Sequence, residues 1–544
     1  MPHSFMGKTF ARPLRSWMFA LLGVLVLCAC DSPISSGGDG DGEVPTAGDG
    51  TFLPLSPASV TATLVNFDAA GNRLSRFDVD GGMVDVHDGG IYEFKGTYYW
   101  YGTTYGCGYE WKKLAYSPFC GFRVYTSPDL VHWKDGGLLF DVSQWEPWQA
   151  RCHGWSYGCF RPHVAYNPNN GRYVLWVNTY ETSVDYHVLD APTPVGPFTE
   201  APLPRLATNA NAPIGVNNGD HDLFVDDDGK GYLVHTNLNG GDIVVEALTP
   251  DFLSGTGNHV RLGLQFKESP SMFKRGGRYY ITMSDPNCGY CTTGTAYVTA
   301  TAPLGPWSAP KKLTTTSCGG QPTHVSQLPT AEGGKWYLYQ SDLWNNAEPN
   351  EATADQFWAP LVFNSAGDIQ PISCRPTYGV STAVSGGGGT TASAARWRLQ
   401  CEIGTRGVTG EVQREVRFTP ATSGRLRSVA LTAYQKNFPS GPLVVEVRAP
   451  AASGGGVLSR AEIQQPSVLW APSRHTLPMD VAVTGGAEYA VRIRAATTQG
   501  CYGVVYRDDQ PTAGQKVFVS RDGGTSWTAE PQRRLGIETT VTAE

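Results

Sequence analysis

The sequence predicts an all-β fold, in which a five-bladed β-propeller is followed by a β-sandwich accessory domain. Three observations favour this fold: the composition, a repeated turn-and-strand motif, and a final third in which apolar and polar residues alternate. The 544 residues include 64 Gly, 38 Pro, 25 Tyr and 15 Trp. Short strands joined by tight turns use these residue types, whereas long helices favour others. A chain of this length has room for two or three domains.

Five segments in the first two thirds of the chain share a glycine-containing turn followed by an aromatic-rich strand. They are residues 96–100, 171–175, 229–233, 277–281 and 334–338. Strand units repeated at this spacing are typical of a propeller, in which the first strand of each blade lies beside a central channel. Residues that are distant in sequence then converge at one end of the channel, where a functional site is expected.

Composition divides the chain into five segments. We interpret them as a lipoprotein signal peptide (1–30), a flexible linker (31–58), the propeller (60–380), a glycine-rich linker (381–394) and the sandwich (395–544). Both linkers are rich in Gly and Ser, which favour a flexible chain. In the last segment, period-two runs of apolar and polar residues are separated by Gly and Pro, which predicts an antiparallel sandwich.

The first thirty residues have the features of an export signal. Basic residues precede the apolar run 18–27, which is too short to span a bilayer. Residues 27–30, Leu-Cys-Ala-Cys, resemble the lipobox of bacterial lipoproteins, with Cys30 as the lipidated residue. The alternative is an ordinary signal peptide with incidental cysteines. The protein is therefore expected to be exported, and to be either a lipoprotein anchored at the cell envelope or secreted.

The chain has 12 cysteines, and ten remain once Cys28 and Cys30 are set aside. An even number of cysteines in an exported chain predicts disulfides. The expected pairs are Cys107 with Cys120, Cys152 with Cys159, Cys288 with Cys291, Cys318 with Cys374, and Cys401 with Cys501. For Cys288 and Cys291, a zinc or redox motif is the alternative.

Three acidic residues stand where a strand is expected to begin, beside Gly or Pro. They are Asp88 before Gly89, Asp222 before an apolar run, and Glu268 before Ser269 and Pro270. Cleaving a glycosidic bond needs two carboxyl groups, one to protonate the leaving oxygen and one to assist the nucleophile. An acidic neighbour raises the pKa of the acid. The alternatives are a turn residue, a strand-entry cap and a solvated surface residue, respectively.

With these motifs in this order, residues 65–378 resemble glycoside hydrolase family 43. The resemblance implies a five-bladed propeller and inverting chemistry. It also implies that Asp88 is the general base and Glu268 the general acid, and that Asp222 tunes the acid and orients the substrate. His324 matches a histidine that many members place on the channel axis, sometimes with calcium and water. A structural role and a metal-linked role are both open for His324, and no cofactor is required.

Some residues are similar to the exo-β-1,3-galactanase branch of this family, namely His87 with Gly89 to Ile91 and Gln321 to Thr323. Members of that branch tend to lack the Asp that acts as general base, and a Gln at the position of Gln321 is assigned a similar role. This sequence departs from the branch because it has Asp88, and because Phe160 stands where Glu is usual. Both departures argue against galactan specificity and are compatible with an arabinofuranosidase, xylosidase or galactofuranosidase instead. The expected substrate-binding residues are His87, Trp100, Trp155, Arg161, Gln321 and His324.

The expected activity is inverting hydrolysis that removes galactosyl, arabinofuranosyl or xylosyl units from plant-type polysaccharide or arabinogalactan. The alternative is a non-catalytic, surface glycan-binding lipoprotein, which need not keep all three carboxylates. A formal net charge of −7 argues against a nucleic-acid partner, since such surfaces need clustered Lys and Arg. The expected partners are therefore an oligo- or polysaccharide and, through the lipid anchor alone, a membrane. A monomer is expected.

Overall fold

The computed structural model describes a chain of strands and short turns. The described residues are 62–108, 118–144, 148–152, 158–179, 185–207, 218–237, 241–286, 293–330, 332–343, 350–383, 396–401, 407–508 and 515–543. The predictions for the signal peptide, the first linker, Cys30, Trp155 and the pair Cys288–Cys291 lie outside them. Within the described ranges there is no α-helix, and no helix long and apolar enough to cross a membrane. The all-β prediction is confirmed.

The first part of the chain, up to residue 380, consists of short strands numbered in chain order. They are β1 Ala62–Val65, β2 Ser75–Arg76, β3 His87–Phe94, β4 Thr97–Thr103, β5 Phe122–Ser127, β6 Lys134–Leu138, β7 Cys159–Asn167, β8 Arg172–Thr179, β9 Asp185–Ala191, β10 Thr199–Glu200, β11 Asn218–Val225, β12 Gly231–Asn237, β13 Asp242–Leu248, β14 Gly255–Arg261, β15 Glu268–Arg275, β16 Arg278–Pro286, β17 Thr293–Ala300, β18 Lys311–Thr314, β19 Gln321–Pro329, β20 Lys335–Leu343, β21 Asp355–Pro360 and β22 Thr377–Val380. Short 3-10 turns occur at Val142–Gln144, Gln149–Cys152, Ser317–Gly319 and Glu351–Thr353.

These strands form successive antiparallel sheets, each built from neighbours in sequence. Four sheets have four strands, β3 to β6, β7 to β10, β11 to β14 and β15 to β18, and the next has three, β19 to β21. The first strand of each sheet contacts the first strand of the next, and β19 contacts β3. Strand β1 pairs with β22, which joins the two ends of this part of the chain. Sheets of four strands in this order are what propeller blades require.

The first strand of every one of these sheets is irregular near its beginning. Its pairing with the second strand shifts at five corresponding places, His87/Gly90, Phe160/His163, Asn218/His221, Glu268/Ser271 and Pro322/His324. At three of them a non-glycine residue has a positive φ: 57° for Asp88, 58° for Arg161 and 55° for Ser269. A bulge of this kind inserts an extra residue and redirects the side chains around it. Strict alternation of inward and outward residues therefore fails at these strand ends.

Aromatic side chains fill the space between the sheets. The ring of Trp100 lies 5.3 Å from Trp133 and 4.8 Å from Trp358, in edge-to-face contacts. All three are nearly inaccessible to solvent. The expectation that Trp100 stacks on a sugar is therefore corrected: its ring is part of the hydrophobic core, and aromatic packing of this kind accounts for its burial.

The last part of the chain forms two further sheets around a core of its own. Its strands are β23 Arg396–Trp397, β24 Gln413–Phe418, β25 Gly424–Lys436, β26 Leu443–Arg448, β27 Val457–Ile463, β28 Ser473–Val483, β29 Tyr489–Ala495, β30 Cys501–Val504, β31 Tyr506–Arg507, β32 Gln515–Ser520, β33 Thr528–Ala529, β34 Arg534–Leu535 and β35 Ile537–Ala543. One sheet has the order β27-β26-β29-β24-β32-β33, and in the other β25 pairs with β28, β30 and β35. Val, Leu and Ile side chains from both sheets pack together. Short 3-10 turns lie at Ala451–Ser453 and Gln465–Ser467.

The segment around Trp470 joins this last part to the first sheet. The Trp470 N–H donates to the Gly106 carbonyl over 2.9 Å, and the Met83 N–H donates to the Pro472 carbonyl over 2.8 Å. The Asn350 side-chain amide donates to the Trp470 carbonyl over 3.1 Å.

Disulfides cross-link the chain covalently, and four of the predicted pairs are confirmed: Cys107–Cys120, Cys152–Cys159, Cys318–Cys374 and Cys401–Cys501.

Candidate active site

The bulged ends of the five first strands bring polar residues together. Each strand contributes a side chain close to its beginning: Asp88 on β3, Arg161 on β7, Asp220 on β11, Glu268 on β15 and Gln321 on β19. Because each of these strands contacts the next, their beginnings lie around one end of the structure. This is the end at which the repeats in the sequence predict a site.

Arg161 connects three of these strands. Its side chain is buried, and one terminal nitrogen, Nη2, donates to Asp220 Oδ2 over 2.9 Å and to Gln321 Oε1 over 3.2 Å. The other, Nη1, donates to the Asp88 carbonyl over 3.4 Å. A planar guanidinium offers five donors in a fixed fork, which suits it to hold several acceptors at once. The predicted site residue Arg161 therefore fixes its neighbours in position.

Asp88 lies below the surface, with a carboxyl group held by hydroxyls. Thr103 donates to its Oδ1 over 2.8 Å, and the Tyr105 hydroxyl lies 3.5 Å from its Oδ2. The Asp88 N–H donates to the carboxylate of Asp342. Burial raises the pKa of Asp88 to about 7, with Arg161 lowering it and Asp342 raising it further. A carboxyl group with this pKa is half ionised at neutral pH, which suits a general base.

His87 packs behind Asp88. It is almost fully buried, its Nε2 lies 3.3 Å from Asp85 Oδ1, and its ring contacts Tyr105. Asp85 accepts N–H bonds from Tyr105 and Gly106, which fixes the segment that follows β4. The expectation that His87 binds substrate is therefore corrected: its ring is enclosed and supports the loop that carries Tyr105.

Asp222 is fully buried, and both of its oxygens are engaged. Oδ2 accepts a hydrogen bond from Ser271 over 2.7 Å and lies 3.0 Å from His324 Nδ1, while Oδ1 lies 3.2 Å from His163 Nδ1. Burial alone would raise the pKa of Asp222, but His324, His163 and the hydrogen bonds hold it well below its usual range. The expectation that Asp222 touches substrate is corrected, because Ser271, His324 and His163 occupy both of its oxygens.

Asp222 belongs to a cluster to which every first strand contributes one side chain. We call Tyr92, His163, Asp222, Ser271 and His324 the five-strand cluster. The Tyr92 hydroxyl lies 2.7 Å from His163 Nδ1, and the Tyr92 and His324 rings are 4.7 Å apart. Burial holds the pKa of His163 well below its usual value, so this imidazole is neutral. His324 therefore has a structural position, tying β19 to β11 through Asp222.

A structural calcium was expected near His324, and the ligand atoms available to it there belong to the five-strand cluster. Ligand atoms of His163, Asp222 and His324 lie within 4.8 Å of one another. Calcium takes six to eight oxygen ligands, whereas this set offers two imidazole nitrogens and one carboxylate. The Asp222 carboxylate already lies within hydrogen-bonding distance of both imidazoles. The set does not fit calcium, and no step of the chemistry below depends on a metal.

Glu268, Asp220 and Gln321 remain partly exposed. Glu268 begins β15, followed by Ser269 with its positive φ of 55°, and the Ser284 hydroxyl donates to the Glu268 carbonyl over 3.1 Å. The Asp220 carboxylate has 16% of its side chain exposed. Two carboxyl groups that reach solvent at one end of the structure can supply a proton donor and an acidic neighbour that raises its pKa.

Asp220 was not among the predicted site residues. The acidic residues of Asp220-His221-Asp222 are two positions apart, so regular alternation would place both on the same face of the strand. The register shift between Asn218 and His221 breaks that alternation and separates them. Asp220 pairs with Arg161 near the surface, and Asp222 faces His324 in the interior. The only signal in the sequence was the pair of acidic residues itself.

Comparison with known proteins adds to this geometry. Residues 82–342 match the model of glycosyl hydrolases family 43. Residues 82–342 belong to this family. The matched residues include Asp88, Arg161, Asp220, Glu268 and Gln321, the side chains assembled at the strand ends.

Named relatives of this family 43 chain include a β-D-galactofuranosidase of Aspergillus niger. It is 28% identical over 283 residues, which cover 51% of this chain and 79% of that protein. An arabinoxylan arabinofuranohydrolase of Paenibacillus polymyxa is 26% identical over 295 residues, covering 47% of this chain and 45% of that protein. The crystal structure of an exo-β-1,3-galactanase from Clostridium thermocellum is similar in fold, with a TM-score of 0.50 and 20% identity, covering 88% of this chain and all of that one.

Proposed function

We propose that the chain is an inverting glycoside hydrolase that removes a galactosyl, arabinofuranosyl or xylosyl unit from the non-reducing end of a plant-type polysaccharide. The observation that carries this proposal is that partly exposed Asp220, Glu268 and Gln321 lie at the bulged beginnings of three adjacent first strands, β11, β15 and β19. A paired acid and acidic neighbour is the arrangement that glycosidic cleavage needs. The glycosidase names of the relatives support the same class of reaction.

We also propose that the chain forms a five-bladed propeller followed by a β-sandwich. The five successive sheets from β3 to β21 are taken as five propeller blades, and the two sheets after residue 396 as a β-sandwich. Support comes from the contacts of each first strand with the next, which return from β19 to β3. The shared core of the two later sheets supports the sandwich. Lipidation of Cys30 and export remain predictions of the sequence.

Glu268 acts as the general acid in this proposal. It protonates the leaving glycosidic oxygen, and its exposure at the start of β15 gives a substrate access to it. Asp220 takes the role that was expected of Asp222: it holds the sugar and, as an acidic residue on the strand adjacent to β15, favours the protonated form of Glu268. Asp222 supports the five-strand cluster from below, since both of its oxygens are occupied there.

Asp88 acts as the general base. It removes a proton from the attacking water, for which a pKa of about 7 is suited. Gln321, held through Arg161, orients that water with its amide group. The alternative within the same reaction is that Gln321 alone positions the water and Asp88 only supports Arg161. The two assignments differ in pH dependence, because a carboxyl group titrates near neutral pH and an amide does not.

The proposal is tested by Glu268→Gln in the full-length protein. The variant is expected to lose most activity on natural glycans with poor leaving groups, since the proton donor is gone, while still binding the product sugar. Glu93→Gln, at the other end of β3, is the matched control and should retain activity. Proton NMR of the first product anomer should show inversion. Wild-type turnover by Glu268→Gln, or release of the retained anomer, would contradict the proposal.

Sugar analysis of digests separates the remaining options. Wild-type protein incubated with arabinan, arabinogalactan and xylan should release a single monosaccharide from one of them, and that sugar identifies the substrate. Release of no sugar from any of the three, with retained binding to one, would favour the glycan-binding lipoprotein instead.

A further inference from the structure

A second polar cavity lies beside the candidate active site, between the sheet β19 to β21 and the last part of the chain. Its volume is about 250 Å³. One wall carries Arg73 and Asp355, and the opposite wall carries Arg398, Tyr434 and Lys436. Both parts of the chain therefore contribute charged side chains to one open cavity, which neither would form alone.

The cavity is close to the proposed catalytic residues. Gln321 on β19 pairs with Asp342 on β20, and Asp342 pairs with Gln356 on β21. Adjacent strands are about 4.8 Å apart, so Gln321 and the third strand are separated by roughly 10 Å. Asp355 precedes Gln356 and lines the cavity. A short oligosaccharide branch can span this distance along the surface.

The lining carries a net positive charge. Arg73 is held in place by its bonds to the Leu343 carbonyl over 3.2 Å and the Gly319 carbonyl over 3.4 Å. Arg398 lies 3.4 Å from Asp508 and over the Tyr506 ring. With Lys436, these are three cations around the cavity.

Among the described residues of the lining, Asp355 is the one that carries a carboxyl group. Its Oδ1 atom has no hydrogen-bond partner among the described residues. Burial raises the pKa of Asp355, with Ser75, Arg73 and Arg76 opposing the rise. The three basic side chains of the described lining outnumber this carboxyl group. The cavity therefore favours an anionic group over a neutral one.

The remaining lining groups are suited to sugar hydroxyls. Asn72 and Gln400 supply amides, and Tyr434 supplies a phenol on a buried aromatic ring. Amides both donate and accept hydrogen bonds, as hydroxyl recognition requires. The guanidinium groups provide the planar donors that match a carboxylate. Together these groups match a sugar that bears a carboxylate.

We propose that this cavity is a subsite for a uronic acid residue carried by the polysaccharide substrate, held by Arg73, Arg398 and Lys436. The proposal rests on the proposed glycosidase function for its role in catalysis, although the binding of the acidic sugar does not. The protein would then prefer acidic, branched glycans over neutral ones with the same cleaved linkage.

The binding test uses two probes that differ only in the carboxylate, methyl β-D-glucuronide and methyl β-D-glucoside. Titration calorimetry or ligand-observed NMR with the full-length protein should show the glucuronide binding at least about tenfold more tightly, with the difference decreasing as salt is added. Inorganic phosphate serves as a third probe, and should bind less tightly than the glucuronide. Equal affinity for the two glycosides would overturn the proposal, and phosphate binding as tight as the glucuronide would overturn its sugar specificity.

The variant test uses Arg398→Gln and Lys436→Gln, with Arg427→Gln on β25 as the control outside the cavity. Each cavity variant is expected to bind the glucuronide about tenfold more weakly, while the control binds as the wild type does. Melting temperatures identify a variant that fails to fold, and the wild-type comparison of the two glycosides then decides the proposal. Unchanged glucuronide affinity in both folded cavity variants would overturn it.

Hydrolysis assays test whether the cavity binds the substrate during catalysis. With an oligosaccharide that carries a uronate branch, KM should rise about tenfold in Arg398→Gln, and KM for the neutral analogue should not change. If the wild type hydrolyses neither substrate but binds the glucuronide, the glycosidase proposal fails and the anionic subsite stands. If it hydrolyses both with equal KM, the subsite proposal fails and the glycosidase stands.

Discussion

The guanidinium of Arg161 lies 2.9 Å from the carboxylate of Asp220, and the same nitrogen reaches Gln321. This pair determines which acidic residue of β11 belongs to the site. Asp220 is drawn toward a buried cation at the strand ends, and Asp222 is left facing the interior. The arrangement depends on a bulge in each of the two strands, since Arg161 itself has a φ of 58°.

Replacing Arg161 by Lys should reduce both stability and activity. A lysine keeps the charge but cannot hold Asp220, Gln321 and the Asp88 carbonyl in one fork. Breaking a buried ion pair costs about 3–5 kcal/mol when one partner is removed, so Arg161→Ala sets the upper limit for the loss. Denaturant unfolding and kcat/KM measure the two effects. Arg172→Lys, at the partly exposed pair with Asp190, is the control and should change neither.

The structure makes opposite predictions for the two acidic residues of β11. Asp220→Asn should still fold, because the Asn amide oxygen can accept the Arg161 hydrogen bond, and should lose activity by about 100-fold or more, as expected when a group that assists proton transfer is removed. Kinetics on an aryl glycoside and on a natural glycan measure the loss. The loss should be larger on the natural glycan, whose leaving group needs protonation. Equal activity of Asp220→Asn and wild type on both would show that Asp220 takes no part.

Asp222→Asn should instead lower stability. Its carboxylate receives hydrogen bonds and close contacts from Ser271, His324 and His163, and each unsatisfied buried group costs about 1–3 kcal/mol. The pKa of Asp222 is depressed on folding, so its contribution is present above about pH 4 and is lost as the pH falls. Unfolding of the variant should therefore depend less on pH in the acid range than unfolding of the wild type.

The sequence predicted much of this arrangement. Repeated turn-and-strand units indicated successive sheets, and the cysteine spacing indicated the four observed disulfides. Asp88 and Glu268 were placed correctly at strand beginnings. The errors share one cause: alternation predicts a side chain's face only where the pairing is regular. Bulges and positive φ values at the strand ends determine the faces of Asp220 and Asp222, and no residue pattern marks them. Burial of Trp100 and His87 likewise depends on tertiary packing.

The pH dependence of catalysis tests Asp88. A general base must be ionised, and the pKa of Asp88 is about 7. Activity should therefore increase with pH through neutrality, by up to tenfold per pH unit below the pKa, and Asp88→Asn should abolish most of it. The free energy of unfolding should change in the opposite sense. A carboxyl group whose pKa is raised on folding favours the native state below its unfolded pKa. This contribution to stability is lost as the pH rises through about 7. If the activity of Asp88→Asn still rises with pH, the titrating group is not Asp88. Gln321 is then favoured as the residue that positions the water.

Trp470 provides the last test, because it links the two parts of the chain at the back of the site. Its side chain is buried with Tyr105, Ala352 and Ala471, and the Tyr105 hydroxyl lies 3.5 Å from Asp88. Trp470→Ala should cost about 3–5 kcal/mol of stability, as large-to-small core changes do.

If the C-terminal part also positions the base, Trp470→Ala should lower kcat and shift the pH profile, because Tyr105 loses the surface that holds it beside Asp88. Leu469→Ala is the control, since Leu469 is 43% exposed and lies next to Trp470 in the chain. A folded Trp470→Ala variant with lower stability but an unchanged kcat and pH profile would limit the last part of the chain to a stabilising role. Comparing the two variants at a temperature well below both melting points separates these outcomes, because loss of folded protein then no longer contributes to the rate.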